Sequence, residues 1–443
     1  MRDLKVIFLF VMAYAKHEQY TGWSSFIVEP SSEDQLITLA SAADQYNLDF
    51  WIYPSLDREG VIIVKPEHQD GFFKVLEESE ITFRSHVVDI KEQLDKEDFF
   101  VQDRESVSQR GESVEEFSYD NYHKIETINT YLVNMSERYP DKVKLVIPAN
   151  SFEGRPIHYL KISTTNFENK SKPVIFIDAG IHAREWIAPP TVTWAIKKLV
   201  ENVTEPELLE RFDWILLPVV NPDGYVYSAN SSPLWRKTRS TDQHKNSHNC
   251  PGVDGNRNFD IDWGRRLTSN NPCDITYGGS TAFCEIETRV VRDIIHEHLD
   301  RIALYISMHS YGSMILYPWS HSIAISPNFN NLRSVAKKMA KTIDRHGMSY
   351  SKIYTIGTSP MLLYLVSGTA MDYAHAVGVP LSFTFELPSY RSDGFHLRPS
   401  HIEQVCYATW KGIVVGVKMA GHLFVGKLNT SRTISPYMTT NMP

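Results

Sequence analysis

After its first fifteen residues the chain has no apolar run near the roughly 20 residues that a membrane-spanning helix requires, so no helical transmembrane span is expected. It also has no excess of positive charge. Its 45 Lys and Arg stand against 53 Asp and Glu, a net charge of −8 spread over 443 residues. That balance argues against nucleic acid and against an anionic membrane surface as partners. Cysteine is scarce, with only Cys250, Cys273, Cys284 and Cys406. What is present is the composition of an ordinary globular chain, 42% hydrophobic and 22% charged. The length exceeds one average domain, so two are expected.

The N-terminus, MRDLKVIFLFVMAYAK, stands apart from the rest. Arg2 and Lys5 precede an apolar run from Val6 to Met12, and Ala13-Tyr14-Ala15 has the small-x-small spacing of a cleavage site. This reads as a signal peptide over residues 1–15, too short for an anchor, and implies a secreted, extracellular product. The competing reading is a buried N-terminal strand. In an exported chain an even cysteine count suggests disulfides, and four cysteines allow three connectivities. Glycan acceptor patterns stand at Asn134, Asn169, Asn202, Asn230 and Asn429.

Residues 16–90 read as a small α+β unit. SSFIVE (24–29) suits a strand. Ser32 stands three before Gln35, a capping-box spacing, and Leu36, Leu39, Ala40 and Ala43 follow at helical intervals to about Asn47. LDFWIY (48–53) and VIIVK (61–65) suit strands, DGFFKVLEES (70–79) a short helix, and ITFRSHVVDI (81–90) a last strand. The order βαββαβ is the ferredoxin-like split motif. It contains no cluster of metal ligands or nucleophiles. Residues 91–116 are charged, Ser-rich and almost free of aliphatic branches, as in a linker. Arg104 and Arg110 expose this segment to a trypsin-like protease.

A longer unit spans residues 117–425, with a flexible tail over 426–443. A first helix is expected near 122–132 and strands over 143–148, 159–165 and 174–179. A helix with Pro189 and Pro190 at its start follows, then an apolar strand over 214–224 that ends in a turn. Residues 225–283 lack periodicity and read mostly as loop, a length that is suspect unless functional. Beyond lie a helix (285–299), a strand (302–309), a helix (332–345), a strand (379–387) and a last helix. Ser400 and Glu403 give that helix a second capping-box spacing. Alternating strands and helices predict a mixed, largely parallel twisted α/β sheet with helices on both faces, preceded by the small ferredoxin-like domain.

In such open sheets sites form beyond the carboxyl ends of strands. VIFIDAGIHAREW (174–186) is a buried strand that breaks at Gly180 and presents His182 and Glu185. The strand at 302–309 ends in His309, and Glu386 closes the strand at 379–387. Two His, one Glu and a water suffice for an open zinc site. A further Glu can take a proton from that water. His244 and His248, in the polar loop, and His296 and His298, toward the solvated face of a helix, read as bystanders.

HAREW (182–186), WRKTRS (235–240), VDGNRNFD (253–260), MHSYG (308–312), SGTAMDY (367–373) and FTFEL (383–387) stand in one order along the chain. In these motifs the chain resembles the zinc metallocarboxypeptidases of the A/B type, from about residue 117 to 422. Its front module is similar to that family's inhibitory propeptide. The resemblance implies one Zn²⁺ held by His182, Glu185 and His309. It implies Glu386 as general base and Arg236 as oxyanion stabiliser. Asn256 and Arg257 would grip the substrate's terminal carboxylate, because a guanidinium fork can bond both oxygens. Tyr364 would close over the chain end and Arg184 would contact the substrate further in. Ser310, Tyr311 and Phe395 would line the cleft. Cys250 and Cys273 match the family's disulfide. The pattern assigns no partner to Cys284 or Cys406, though both lie on expected helices and could bridge.

The same alignment puts Met371 where an acid would mark preference for basic residues, with Leu316, Leu363, Val366 and Thr384 in the pocket wall. Ser320, Ser359 and Thr369 depart from the A-type pattern, and Pro388 from the usual sequence after the base. An uncharged Met makes burial of a substrate cation costly, so apolar or aromatic C-terminal residues are expected. The implied partners are peptide C-termini and an activating trypsin-like protease, acting on a monomeric zymogen. Two other readings compete: basic-residue preference, and a non-catalytic zinc- or peptide-binding homologue, against which every key residue is present.

Overall fold

The computed structural model describes residues 17–56, 58–96, 117–241, 249–348, 353–389 and 394–429. The expected signal peptide, Arg104, Arg110, His244 and His248 lie outside them.

The front unit is a four-stranded antiparallel sheet in the order β2-β3-β1-β4. Its strands are β1 (Ser24–Glu29), β2 (Asp49–Ile52), β3 (Gly60–Val64) and β4 (Thr82–Val87), with helices α1 (Glu33–Tyr46) and α2 (Pro66–Glu78). This is the expected ferredoxin-like order. Ser32 caps α1 by accepting from Gln35 N, while Gln35 Oε1 reaches back one residue further, to Ser31 N. Phe26, Val28, Leu39, Phe72 and Leu76 fill the space between sheet and helices. The segment expected to be a linker from 91 begins as helix over residues 90–96, because Ile90 and Leu94, one turn apart, are both buried.

The second unit is built on one eight-stranded sheet in the order β11-β10-β12-β9-β7-β8-β6-β5. These strands are β5 (Val143–Val146), β6 (Tyr159–Ile162), β7 (Val174–Ala179), β8 (Asp213–Leu217), β9 (Ile302–Ser310), β10 (Met314–Leu316), β11 (Thr355–Gly357) and β12 (Ser382–Leu387). The central pairs β8–β7, β7–β9 and β9–β12 are parallel, as is β10–β11; the other pairs are antiparallel. Nine helices of this unit are described: α3 (Ile125–Arg138), α4 (Ala188–Val200), α5 (Glu207–Arg211), α6 (Pro222–Asn230), α7 (Ile286–Glu297), α8 (Phe329–His346), α9 (Ser359–Leu362), α10 (Ala370–Val377) and α11 (Ile402–Asn429). No helix among the described residues is long and apolar enough to cross a membrane.

Side chains alternate across a strand, and the central strands use both faces. Ile175, Ile177, Ala179, Ile306 and Met308 pack with α4, α8 and α11 on one side. Val174, Phe176 and Tyr305 pack with α7 and α10 on the other. The sheet is therefore covered twice, which is why its parallel strands read as continuous apolar runs.

Several expectations are corrected. The strand expected over 214–224 ends at Leu217, and α6 starts at Pro222, where the Asn221 side chain accepts from Gly224 N. β10, β11, α9 and α10 are short elements without a periodic signal. Ser400 lies inside a 3₁₀ turn, Pro399–His401, and is not the cap of α11. α11 runs to Asn429, into the expected tail. His296 is exposed as expected, but His298 is 5% exposed, packed on Phe167 beside Lys161. Cys250 and Cys273 are bonded, while Cys284 and Cys406 are free. Cys406 is buried on α11 in the first core, and Cys284 sits beside Asn258 on the opposite side of the sheet, so no bridge can form.

The start of α7 carries two buried acids. Glu285 accepts from Thr238 Oγ1 (2.6 Å) and Ser240 Oγ (3.0 Å), whereas Glu287 Oε1 has no partner. Burial, with Glu285 nearby, pushes Glu287 from 4.5 up to about 8. A folded-state pKa above the unfolded value gives stability that is full below pH 4.5 and is lost as pH rises through about 8. Glu287→Gln is therefore expected to flatten that decline and to stabilise the chain at pH 8 by about 1 kcal/mol or more. Thermal melts across the window check it, and an unchanged slope would count against the assignment.

Candidate active site

β7 ends at Ala179, and Gly180, at φ 68°, turns the chain out of the sheet. His182 and Glu185 follow in that turn. Beside it, parallel register sets Ala179 opposite Met308 and His309 opposite Glu386. The three strand ends thus stop at one height, and their polar residues converge. His182 Nδ1 lies 2.7 Å from Glu185 Oε1; His309 Nδ1 lies 3.0 Å from His182 Nδ1 and from Glu185 Oε2. One ligand atom from each residue lies within 4.8 Å of the others, and all three residues are buried.

These atoms fit a cation. His182 Nε2 donates to Asp254 Oδ1 at 3.0 Å, and an ionised carboxylate only accepts, so His182 turns its Nδ1 lone pair to the centre. An imidazole lone pair and a carboxylate aimed at one point repel unless positive charge lies between them. The three groups also act on one another electrostatically. Burial alone would raise Glu185, yet His182 and His309 hold it well below the carboxylate range. Burial alone would lower His309, yet Glu185 raises it.

Asp254 was quoted in a motif but given no role by sequence reasoning, and it joins the parts of the site. Its Oδ1 accepts from His182 Nε2 and from Asn256 N (3.0 Å each), and its Oδ2 accepts from Arg236 Nε at 2.9 Å. Burial opposes its charge, but Arg236, Arg257 and His182 hold it well below the carboxylate range. Asn256 and Arg257 sit on the 3₁₀ turn Gly255–Arg257. Arg257 donates to Leu267 O and Asn256 O (2.9 Å each), and Asn256 Oδ1 accepts from Ala370 N. Gly368 backs this turn at φ 71°. A Cβ there would meet Arg257 O at 2.3 Å, so only glycine fits.

Glu185, His182, Arg236, Asn256, Arg257, Tyr364 and Glu386 all line a single cavity of about 340 Å³. Enclosure raises Glu386 to about 8, with His309 opposing and Glu185 adding to the push. Ser310 N donates to Glu185 Oε2 at 3.2 Å. Leu316, Ser320, Ser359, Leu363, Val366, Thr369 and Thr384 form another part of the lining. Met371 does not reach it: it is 1% exposed, in a cluster with Met314 and Leu316 against which Leu363 packs. The adjacent acid, Asp372, accepts from Ser320 N, His321 N and the His321 ring.

The front sheet closes the cavity. Asp49 on β2 forms a two-pronged ion pair with Arg184, whose guanidinium lies 4.2 Å from the Phe395 ring centre. Trp51 packs edge-on against Phe395 and Tyr311, and Tyr53 lies 4.1 Å from the Tyr364 ring centre. Sequence reasoning had no signal for Asp49 or Trp51, because nothing local marks their partners.

Comparisons with known proteins address the family directly. Residues 128–412 match the family model described as zinc carboxypeptidase, and residues 26–97 match that of the carboxypeptidase activation peptide. The chain belongs to the zinc carboxypeptidase family. It is 53% identical over 427 residues to carboxypeptidase B of Helicoverpa zea, covering 96% of this chain and 100% of that one. With carboxypeptidase A2 of Mus musculus it shares 35% over 418 residues, 92% of this chain and 96% of the other. The solved carboxypeptidase A from Helicoverpa armigera superposes with a TM-score of 0.88 at 39% identity, covering 92% of this chain and 99% of that one. The chain is therefore a metallocarboxypeptidase zymogen with zinc as its cofactor, and the His-Glu-His group is able to bind that metal.

Removing zinc from the activated carboxypeptidase with a chelator is expected to abolish peptide hydrolysis, and added zinc to restore it. His309→Ala is expected to lose the metal as well as the restored activity. Metal analysis checks this; stoichiometric zinc in that variant would rule out His309 as a ligand.

Proposed function

We propose that the chain is a secreted carboxypeptidase zymogen that, once cut, removes apolar or aromatic residues from peptide C-termini. The reading divides the chain into a signal peptide, an activation domain over 16–90, a connecting segment over 91–116 and a catalytic domain over 117–425. The observation that carries it is the cavity itself, whose wall joins His182 and Glu185 of the metal-ligand triad, Glu386 and the Asn256–Arg257 turn in one space, with His309 behind that wall in the same ligand group.

In this reading Arg257 and Asn256 bind the terminal carboxylate, which sets the scissile bond one residue inward. Tyr364 closes over the chain end, and Arg184, Ser310, Tyr311 and Phe395 border the path of the preceding residues. Zinc bound by His182, Glu185 and His309 supplies Lewis acidity at the scissile carbonyl and makes water more acidic. Glu386 removes a proton from the attacking water and delivers it to the departing amine. Its raised pKa suits a group that must both take up and give back a proton. Arg236, fixed by Asp254, presents positive charge to the oxygen that becomes negative.

The preference for apolar residues is supported by the pocket lining. Among the described residues, no lining residue is acidic beyond Glu185, Glu386 and Asp49 of the front sheet, and Asp372 is already engaged. A substrate cation would be buried without a partner. The name of the Helicoverpa zea relative, carboxypeptidase B, favours a second reading with basic preference.

Hydrolysis of peptides ending in Phe, Leu or Lys, before and after trypsin, tests the proposal. Release of Phe and Leu only after trypsin is expected, and Glu386→Gln should reduce kcat by about 10²–10⁴-fold. Faster release of Lys would establish the second reading, full activity of the uncut chain would remove the zymogen, and full turnover by Glu386→Gln would remove the base. Separately, Asp49→Ala leaves Arg184 unpaired under the front sheet. The uncut variant is expected to hydrolyse Phe-ending peptide several-fold faster than the uncut parent, and equal rates would show that the ion pair does not hold the cover shut.

A further inference from the structure

The outer nitrogens of the two metal-facing imidazoles are held in different ways. His182 Nε2 meets the Asp254 carboxylate directly. His309 Nε2 meets a hydroxyl, Ser307 Oγ, at 3.2 Å. Ser307 Oγ in turn lies 2.8 Å from Asp178 Oδ1, and the other Asp178 oxygen accepts from Tyr305 OH at 2.5 Å. All four residues are buried.

The sheet itself dictates this arrangement. Tyr305, Ser307 and His309 are two apart on β9 and therefore share a face. Parallel register sets Phe176 opposite Tyr305 and Asp178 opposite Ser307, so the carboxylate lies beside the hydroxyl on the same face. Polarity fixes the direction. Asp178 is the acceptor for both hydroxyls, so Ser307 gives its only proton to Asp178 and must accept from His309 Nε2–H. His309 is thereby left with its Nδ1 lone pair toward Glu185 and His182. The carboxylate and hydroxyl are otherwise a costly burial in an apolar sheet.

We propose that Asp178 and Ser307 form a two-step relay that orients His309 and fixes its tautomer for zinc, so that both are positioning residues for the metal site. Tyr305 anchors the far side of the carboxylate without lying on the path to His309. The inference rests on the reading of His182, Glu185 and His309 as the zinc ligands. Partners that orient a ligating imidazole are generally worth about 10–100-fold in metal affinity.

The test is zinc affinity of the metal-free full-length chain, by competition of Zn²⁺ alone against a chromogenic chelator, with thermal melts of each metal-free variant. Ser307→Ala is expected to weaken zinc binding by about 10–100-fold, and Asp178→Asn by a similar factor. Because the two act in series, the double variant should be little weaker than Ser307→Ala. Tyr305→Phe removes an equally buried hydrogen bond off the path; it should lower the melting temperature but keep zinc affinity within about twofold of the parent. Affinity retained by folded Ser307→Ala, or lost as much in Tyr305→Phe as in Ser307→Ala, overturns the relay. If Asp178→Asn does not fold, the Ser307→Ala and Tyr305→Phe pair decides alone. Failure of the parent to bind one zinc, or of His309→Ala to weaken it, would instead overturn the ligand assignment.

Discussion

One buried carboxylate, Asp254, holds the parts of this site in their mutual positions. It accepts from a metal-facing imidazole, from the guanidinium of Arg236 and from the backbone of the turn that carries Asn256 and Arg257. Alone in such a place it would be protonated or would destabilise the fold. Surrounded by three donors, two of them charged or partly charged, it stays ionised. Its charge then does three things at once: it fixes a tautomer, aims an arginine and closes a turn. The metal-facing and substrate-facing halves of the cavity share this anchor.

The second constraint is the register of the parallel strands. β7, β9 and β12 are neighbours and stop at one height, so residues far apart in sequence leave the sheet together. Alternation sends the apolar half of each strand into the core under α4, α8 and α11 and leaves the other half for Asp178, Ser307, His309 and Glu386. A slip of one residue would exchange the two sets and turn His309 and Glu386 toward the core under α11. Catalytic geometry and core packing are thus specified by the same pairing.

This explains which features were legible in the sequence. Strands such as VIFIDA, buried on both sides, announce themselves by unbroken apolar character, and the helices α1, α4 and α8 by their spacing. Family motifs pointed to the ligands, Glu386, Arg236 and the Asn256–Arg257 pair, and the structure brings all of these but His309 into the lining of one cavity, with His309 grouped beside His182 and Glu185. α6 was hidden because Asn221-Pro222-Asp223-Gly224 has the composition of a turn, although Asn221 and Pro222 also make a helix start. The burial of His298 was hidden because its cover, Phe167 and Lys161, lies far away in sequence. Asp254 looked like part of a turn, and its three partners are defined only in three dimensions. Met371 aligned with a pocket position but is buried in a cluster with Met314 and Leu316, and of these Leu316, with Leu363, lines the cavity while Met371 does not.

The tight approach of Gly368 to Arg257 has a consequence for how this cleft can vary. A side chain on Gly368 would collide with the Arg257 carbonyl, and its backbone conformation is one that other residues rarely adopt. Any codon change there displaces that carbonyl before it alters the pocket. Variation in the cavity is therefore channelled into the hydroxyl-bearing and aliphatic wall positions, while the Asn256–Arg257 turn stays invariant in shape.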